Sequence, residues 1–320
     1  MEWFGAGSNG PLIVVRAIHF AATAITTGAL VFRAVVAKPA LNSEPAVAKL
    51  IRKQTLTIAW IGLAITVASG MVWLLFQATA MSGLPLGEAM TSPVLLTVLN
   101  QTQFGLVSEI RLVLAIILAA CLAFDRFSPA YWFAPAAALG LTAAIAWTGH
   151  AGSTLGQIGN LHLTADALHL VAAASWIGGL VPLVILLAAA RRHQAVASAS
   201  LAGDVTMRFS TLGIVSVATL LATGVVNAWI LVGSFHALVI TEYGQLLTLK
   251  IVVFTLMLVF AAVNRFGLSP RLALSSGNEP RLEALRQLTR NSAIEIALGL
   301  AIFAIVGLLG TLHPAIHFMN

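Results

Sequence analysis

Apolar residues fall in eight long runs separated by short polar stretches. The runs cover roughly residues 12–36, 55–77, 105–124, 131–149, 162–190, 209–233, 243–264 and 290–311. A helix needs about 20 apolar residues to cross a bilayer, so each run predicts one membrane-spanning helix. The fifth run is long, which predicts a tilted helix or one that extends past the membrane. Residues 78–104 form the longest connection on one side and 265–289 the longest on the other. Within the latter, the segment from Glu279 to Arg290 reads as a short surface helix. The prediction is an all-α polytopic membrane protein with eight transmembrane helices, a single integral membrane domain over residues 1–320.

Polar residues between the runs orient these helices. Of the 17 Lys and Arg, 14 fall within 33–53, 125–130, 191–208 and 265–290. Those loops share one side if eight helices alternate. The opposite loops, 78–104, 150–161 and 234–242, hold no Lys or Arg. The positive-inside rule makes the basic side cytoplasmic and sends both termini outward. The first residues, MEWFGAGSNGPL, lack a basic leader region, so the first helix is expected to be a span and not a cleaved signal peptide. The net charge of +6 is then a topology signal. Nucleic-acid binding is not expected, because the basic residues sit on short loops beside lipid headgroups.

The first half of the chain is echoed in the second. RAIHFAATAITTGALV at 16–31 aligns with DALHLVAAASWIGGLV at 166–181, and TQFGLVSEIR at 102–111 with TEYGQLLTLK at 241–250. Arg-Phe follows each motif glycine by 21 residues, at Arg126-Phe127 and Arg265-Phe266. Two parallel four-helix repeats are expected, about 12–130 and about 162–311, related by an axis along the membrane normal. That pairing matches His19 with His169, Arg16 with Asp166, and Arg111 with Lys250.

Composition agrees with the membrane class and narrows the chemistry. Charged residues are 9% of the chain, against about 25% in soluble domains. The lone cysteine, Cys121, lies inside the third run, so neither an internal disulfide nor a CxxC metal trap exists. No phosphate-binding GxxxxGK[ST] loop is present. No Ser-His-Asp set or carboxylate pair can be assembled, and the protein is not expected to be an enzyme.

Histidines carry the remaining chemistry. Seven of eight fall on the outer side, with His193 the exception. His19 and His169 lie about 10 Å below the outer surface by the helical rise. His162, Asp166 and His169 share one face of the fifth helix at i, i+4 and i+7. Imidazoles suit copper, zinc, iron and nickel, and outer methionines such as Met71, Met81, Met90 and Met319 add thioethers that favour Cu(I). The candidate metal ligands are His19, His169, His150, His162 and His313. His236 and His317 read as solvated, and Met71 is balanced between ligand and packing. Arg16 and Asp166 are expected to form an ion pair at one depth. Glu109 is placed to pair with a cation or with the metal. Arg111 and Lys250 either snorkel to headgroups or face the pocket. Trp73, Trp147, Trp176 and Trp229 read as interface anchors or packing residues. The inner half offers only Glu295, so no matching inner pocket is expected.

RAIHFAATAITTGALVF, WTGHAG at 147–152, DALHLVAAASWIGGL, RFSTLG at 208–213 and TEYGQLLTLK resemble the copper resistance D (CopD) family of bacterial inner-membrane proteins. The resemblance covers nearly the whole chain. It implies copper handling at the inner membrane, with a small periplasmic copper-binding partner of the CopC type. With about ten residues ahead of the first helix, a fused partner domain is not expected. Copper binding and transport from the periplasmic side is the leading expectation. One alternative is a haem-binding redox protein with His19 and His169 as axial ligands. Another is a copper sensor or assembly partner that does not transport.

Overall fold

The computed structural model describes residues 10–40, 45–193, 196–274 and 278–318. Among them the structure is helical, without strands. Eight helices are long and apolar enough to cross a membrane: α1 (Gly10–Ala40), α2 (Val47–Ser82), α3 (Gln103–Ala123), α4 (Ser128–Thr148), α5 (Gly156–Arg192), α6 (Leu201–Val232), α7 (Glu242–Leu272) and α8 (Glu279–Leu309). Each coincides with a predicted apolar run. The expected separate surface helix at 279–290 is not separate. It is the first part of one continuous helix, Asn278–Leu309. At about 1.5 Å per residue those 32 residues reach about 48 Å, beyond the ~30 Å hydrocarbon core, so the charged end stands clear of lipid.

α1 and α5 are the centre of the bundle. Most of each is buried, whereas the other six expose most of their apolar surface. That outward surface is where lipid tails replace protein, and it carries Ile65, Ile116, Val252 and Val259. α1 packs on α2, α4, α5 and α8; α5 packs on α6. The two central helices cross where glycines remove the side chain. A Cβ on Gly28 would collide with the backbone of Gly178 and Gly179, and one on Gly178 with the carbonyl of Ala24. Small residues at such a crossing let helix backbones approach closely. The α5 side of the crossing is a π-helical turn, Ala174–Gly178. Two further π-helical turns lie near the basic ends of α1, Phe32–Ala37, and α7, Val263–Leu268.

The Thr-x-Phe/Tyr-Gly motifs start helices. Thr102 and Thr241 each accept a hydrogen bond from the glycine N–H three residues on, both at 3.0 Å. Each threonine hydroxyl also donates backwards, to Val98 O at 2.7 Å and Ala237 O at 2.6 Å. The glycine is needed because a Cβ on Gly105 or Gly244 would strike the short helix just before it, Ser92–Gln101 or Phe235–Ile240. Positions matched in sequence therefore make the same local structure.

At the basic end the buried Asp125 ties three elements together. It accepts from Arg33 at 2.5 Å and Arg52 at 2.6 Å. These are the only ion pairs among the described residues.

Candidate functional site

Two histidine niches lie toward the end opposite the basic loops. In the first, His19 on α1 is 2% exposed. Its Nδ1 meets Ser69 Oγ at 2.9 Å, while Ser69 itself donates to Ile65 O at 2.6 Å. Since that hydroxyl proton is spent on a carbonyl, Nδ1–H donates and Ser69 accepts. Nε2 then accepts from the Arg111 guanidinium, which has only donors. Both ring nitrogens are thus engaged. The ring lies edge-on to Trp73 at 5.3 Å, and the Arg16 guanidinium sits 5.1 Å from the same indole. Trp73 is enclosed and packs on Phe104. The niche holds two buried guanidinium groups and no carboxylate, with cation–π contacts in place of ion pairs.

The second niche repeats the hydroxyl and changes the rest. His169 Nδ1 meets Thr223 Oγ1 at 2.9 Å, and Thr223 donates to Thr219 O at 2.6 Å. Gly70 lies against His19 and Gly224 against His169, so Ser69-Gly70 and Thr223-Gly224 are matched platforms. Here Nε2 has no partner among the described residues. The ring is only partly buried and faces a cavity of about 420 Å³ bounded by α1, α4, α5, α6, α7 and α8. His150, His162, Asp166, Lys250 and Tyr243 line the same space.

Several of these side chains are held by neighbours in or beside the cavity wall. The Nδ1 of His162 pairs with Thr154 Oγ1 at 2.9 Å. His150 Nε2 donates to Leu309 O at 3.3 Å, with the ring edge-on to Tyr243 at 6.0 Å. Asp166 accepts from Asn227 Nδ2 at 3.3 Å, and Lys250 is close enough to act on it electrostatically. The face of α5 expected to carry His162, Asp166 and His169 does line one cavity.

Other candidates are placed elsewhere. The expected Arg16–Asp166 ion pair is not formed. Arg16 lines the cavity wall but turns toward Phe20 and Trp73, and its Nε has no partner, while Asp166 faces Asn227 and Lys250. Asn227 from α6 and Lys250 from α7 take the place beside Asp166 that the expected pair gave to Arg16. His19 does not line the cavity with His169. Glu109, His313 and His236 are exposed and do not line the histidine cavity. Met71 is 65% exposed on the lipid side. The side chains of His193 and His317, and Met319, lie outside the described residues. Trp73 and Trp176 are buried packing residues, whereas Trp229 is 77% exposed as an anchor would be. Among the described residues no group of three His, Cys, Asp or Glu side chains is close enough to hold a metal together.

An inner cavity does exist, contrary to the expectation that the basic end has none. It measures about 450 Å³ and is walled by α5, α6, α7 and α8, with Glu295, Asn264 and Ser292 among its polar lining. Glu295 was legible in the sequence, whereas Asn264, the last residue of the seventh apolar run, carries no signal that sets it apart.

Comparison with known proteins places this architecture. The family model described as Copper resistance protein D-like, N-terminal domain, matches residues 8–160, and the one described as Copper resistance protein D matches 203–309. Inner membrane protein YebZ of Escherichia coli (strain K12) is 31% identical over 312 residues, 94% of this chain and 98% of that protein. Copper resistance protein D of Pseudomonas syringae pv. tomato is 31% identical over 80% of this chain and 82% of its own. Copper transport protein CutJ of Bacillus subtilis (strain 168) is 31% identical over 78% of this chain, which spans 45% of that longer protein. No solved structure matches the chain significantly.

Proposed function

The chain belongs to the copper resistance protein D family, and on that premise we propose that it binds copper in the cavity of His150, His162 and His169 and carries it across the bacterial inner membrane from the periplasmic side. One observation carries this reading: three imidazoles converge on one cavity, and His169 Nε2 is uncommitted there. Imidazole is a ligand suited to copper. Among the described residues the ligands form no compact three-ligand cluster, which suits a cargo ion, since conduction needs sites that also let go. Asp166 is the carboxylate of the cavity and partly offsets its positive charge. The distribution of basic loops supports placing the cavity mouth on the periplasmic side, with both termini there. A small periplasmic copper-binding protein of the CopC type is the fitting donor.

The two histidines divide the work in this proposal. His19, clamped between Ser69 and Arg111, fixes α1 to α2 and α3. His169, with a lone pair aimed into the cavity, takes the ion. Bis-histidine haem finds no support, because an axial bond from His19 Nε2 would have to displace Arg111.

Copper titration of the purified full chain tests this. His162→Ala and His169→Ala should each weaken binding at least tenfold, about 1.4 kcal/mol. His19→Ala should leave affinity near wild type while lowering thermal stability. Unchanged affinity in the His162→Ala/His169→Ala double variant would overturn the site. Copper accumulation by proteoliposomes separates a carrier from a protein that only holds periplasmic copper: binding without accumulation would establish the latter.

A further inference from the structure

The inner cavity has a chemistry of its own. Glu295 on α8 is 2% exposed, and its Oε1 accepts from Asn264 Nδ2 at 2.7 Å. Asn264 is locked in that sense, because its Oδ1 accepts from Asn291 Nδ2 at 3.0 Å. Its backbone carbonyl accepts from Ser269 Oγ at 2.7 Å, five residues on, within the π-helical turn that ends α7. Isolated π-helical turns recur at functional sites. The second oxygen of Glu295 has no partner among the described residues.

Charges around Glu295 are few. α5 presents only apolar side chains to the cavity, and α6 adds Thr206 and Ser210. α7 adds Asn264 and Arg265, and Arg265 donates to Ser210 Oγ at 2.5 Å. Asp204 and Arg208 on α6, Arg271 on α7 and Arg290 on α8 do not line the cavity. A buried carboxylate thus faces an open cavity without an ion-pair partner among the described residues.

This donor set suits a proton far better than copper. It is oxygen-only, whereas copper favours nitrogen and sulfur. The Asn264 amide presents its N–H to the carboxylate, which leaves no amide oxygen for a metal. Arg265 at the wall repels cations, but a proton on Glu295 arrives at a neutral product. Carboxylates buried in membrane helices are costly and mark proton relays among other functions.

The position of the cavity joins it to the histidine cavity. Trp176 and Leu221 line both. Trp176 lies within the π-helical turn of α5, 2% exposed, edge-on to Phe254 at 6.2 Å. His169 precedes it by seven residues, about 10 Å of helix. Trp176 and Leu221 therefore form a wall common to the two spaces.

We propose that Glu295 is a proton-binding site, reached from the cytoplasmic side through the inner cavity and divided from the histidine cavity by Trp176. In the step, a hydronium on the cytoplasmic side gives its proton to Glu295 Oε2 and leaves as water, and the reverse step returns the proton. The site stands on its own geometry; its coupling to copper rests on the function proposed above.

Infrared difference spectroscopy of the full chain, reconstituted in one orientation, tests the site without copper. Wild type should show the C=O band of a protonated carboxylic acid that titrates with the pH of the cytoplasmic face. Glu295→Gln should lose that band and Asp166→Asn should keep it. Glu295→Asp, the conservative variant, should shift the band and so confirm the assignment should Gln disturb folding. A band that survives Glu295→Gln, or one that follows only the pH of the opposite face, overturns the proposal. With Cu(I) as probe, Glu295→Gln should bind as wild type, while an imposed pH gradient should no longer change its uptake. Uptake in Glu295→Gln that still follows the gradient would defeat the coupling. Absence of copper binding in wild type would defeat the copper reading and leave the infrared result standing.

Discussion

Replacing Gly28 by alanine should loosen the whole bundle, because the two central helices touch there through their backbones. The new methyl would land on the backbone of Gly178 and Gly179, well inside ordinary contact. Carbon atoms sit about 3.5–4.0 Å apart at their optimum, so α1 and α5 must part by something on the order of 1 Å. A gap of that size forfeits roughly a quarter to a half of each dispersion contact along the seam. Overpacking of this kind costs about 1–3 kcal/mol. Gly178→Ala should cost a similar amount, since its methyl would meet Ala24 O on the facing helix. The double variant should cost less than the sum, because one separation accommodates both methyls. Gly87→Ala and Gly203→Ala are the controls. A Cβ at either meets nothing within 4 Å, and both lie in helices, where alanine gains about 0.5–1 kcal/mol over glycine. Reversible unfolding in mixed micelles reads the difference. Wild-type stability in Gly28→Ala, or strict additivity in the double variant, would refute the backbone crossing.

Three further outcomes are expected. In a double-mutant cycle on stability, Asp166→Asn should couple to Lys250→Met but add independently to Arg16→Met; coupling to Arg16 alone would contradict the observed partners. Asp125→Asn strands Arg33 and Arg52 at the basic end and should destabilise by about 3–5 kcal/mol in the same unfolding assay, unlike Glu109→Gln on the exposed surface. Reporter fusions at Gly203 and Asn320 should lie on opposite sides of the membrane, and a shared side would break the eight-span order.

The spans were legible because lipid imposes a simple requirement: about 20 apolar residues with their hydrogen bonds satisfied internally. The start of α8 was not. Residues 279–290 carry Glu279, Arg281, Glu283, Arg286 and Arg290, so hydropathy reads them as surface, although the helix runs on unbroken. Histidine depth was legible from the helical rise, and so was the shared face of His162, Asp166 and His169. Their partners were not. Whether Arg16 meets Asp166 depends on helix rotation, which the sequence sets only through distant contacts such as Gly28 on Gly178. The inner cavity escaped notice for a related reason. Its polar lining comes from three helices, α6, α7 and α8, and most of those residues look unremarkable alone.

The matched niches differ in a way that bears on their chemistry. Each anchors its histidine Nδ1 on a hydroxyl above a glycine, Ser69-Gly70 or Thr223-Gly224. Arginine follows on the third helix of the first half, lysine on the third helix of the second. Arg111 reaches His19 and spends the Nε2 lone pair on a hydrogen bond; Lys250 leaves that of His169 open to the cavity. A planar guanidinium with several donors fills such a niche, while a compact ammonium on a flexible stem does not. Arg16 and Asp166 widen the difference, since the first half adds a second cation beside its histidine and the second half adds an anion. One niche is thereby closed and without a carboxylate, the other open and, although Arg16 and Lys250 line it, supplied with one. A metal cation would meet repulsion and no free lone pair at His19, whereas at His169 it would find a free lone pair in a cavity that Asp166 and Lys250 also line. The asymmetry between matched positions, more than the number of histidines, is what the proposed division of work rests on.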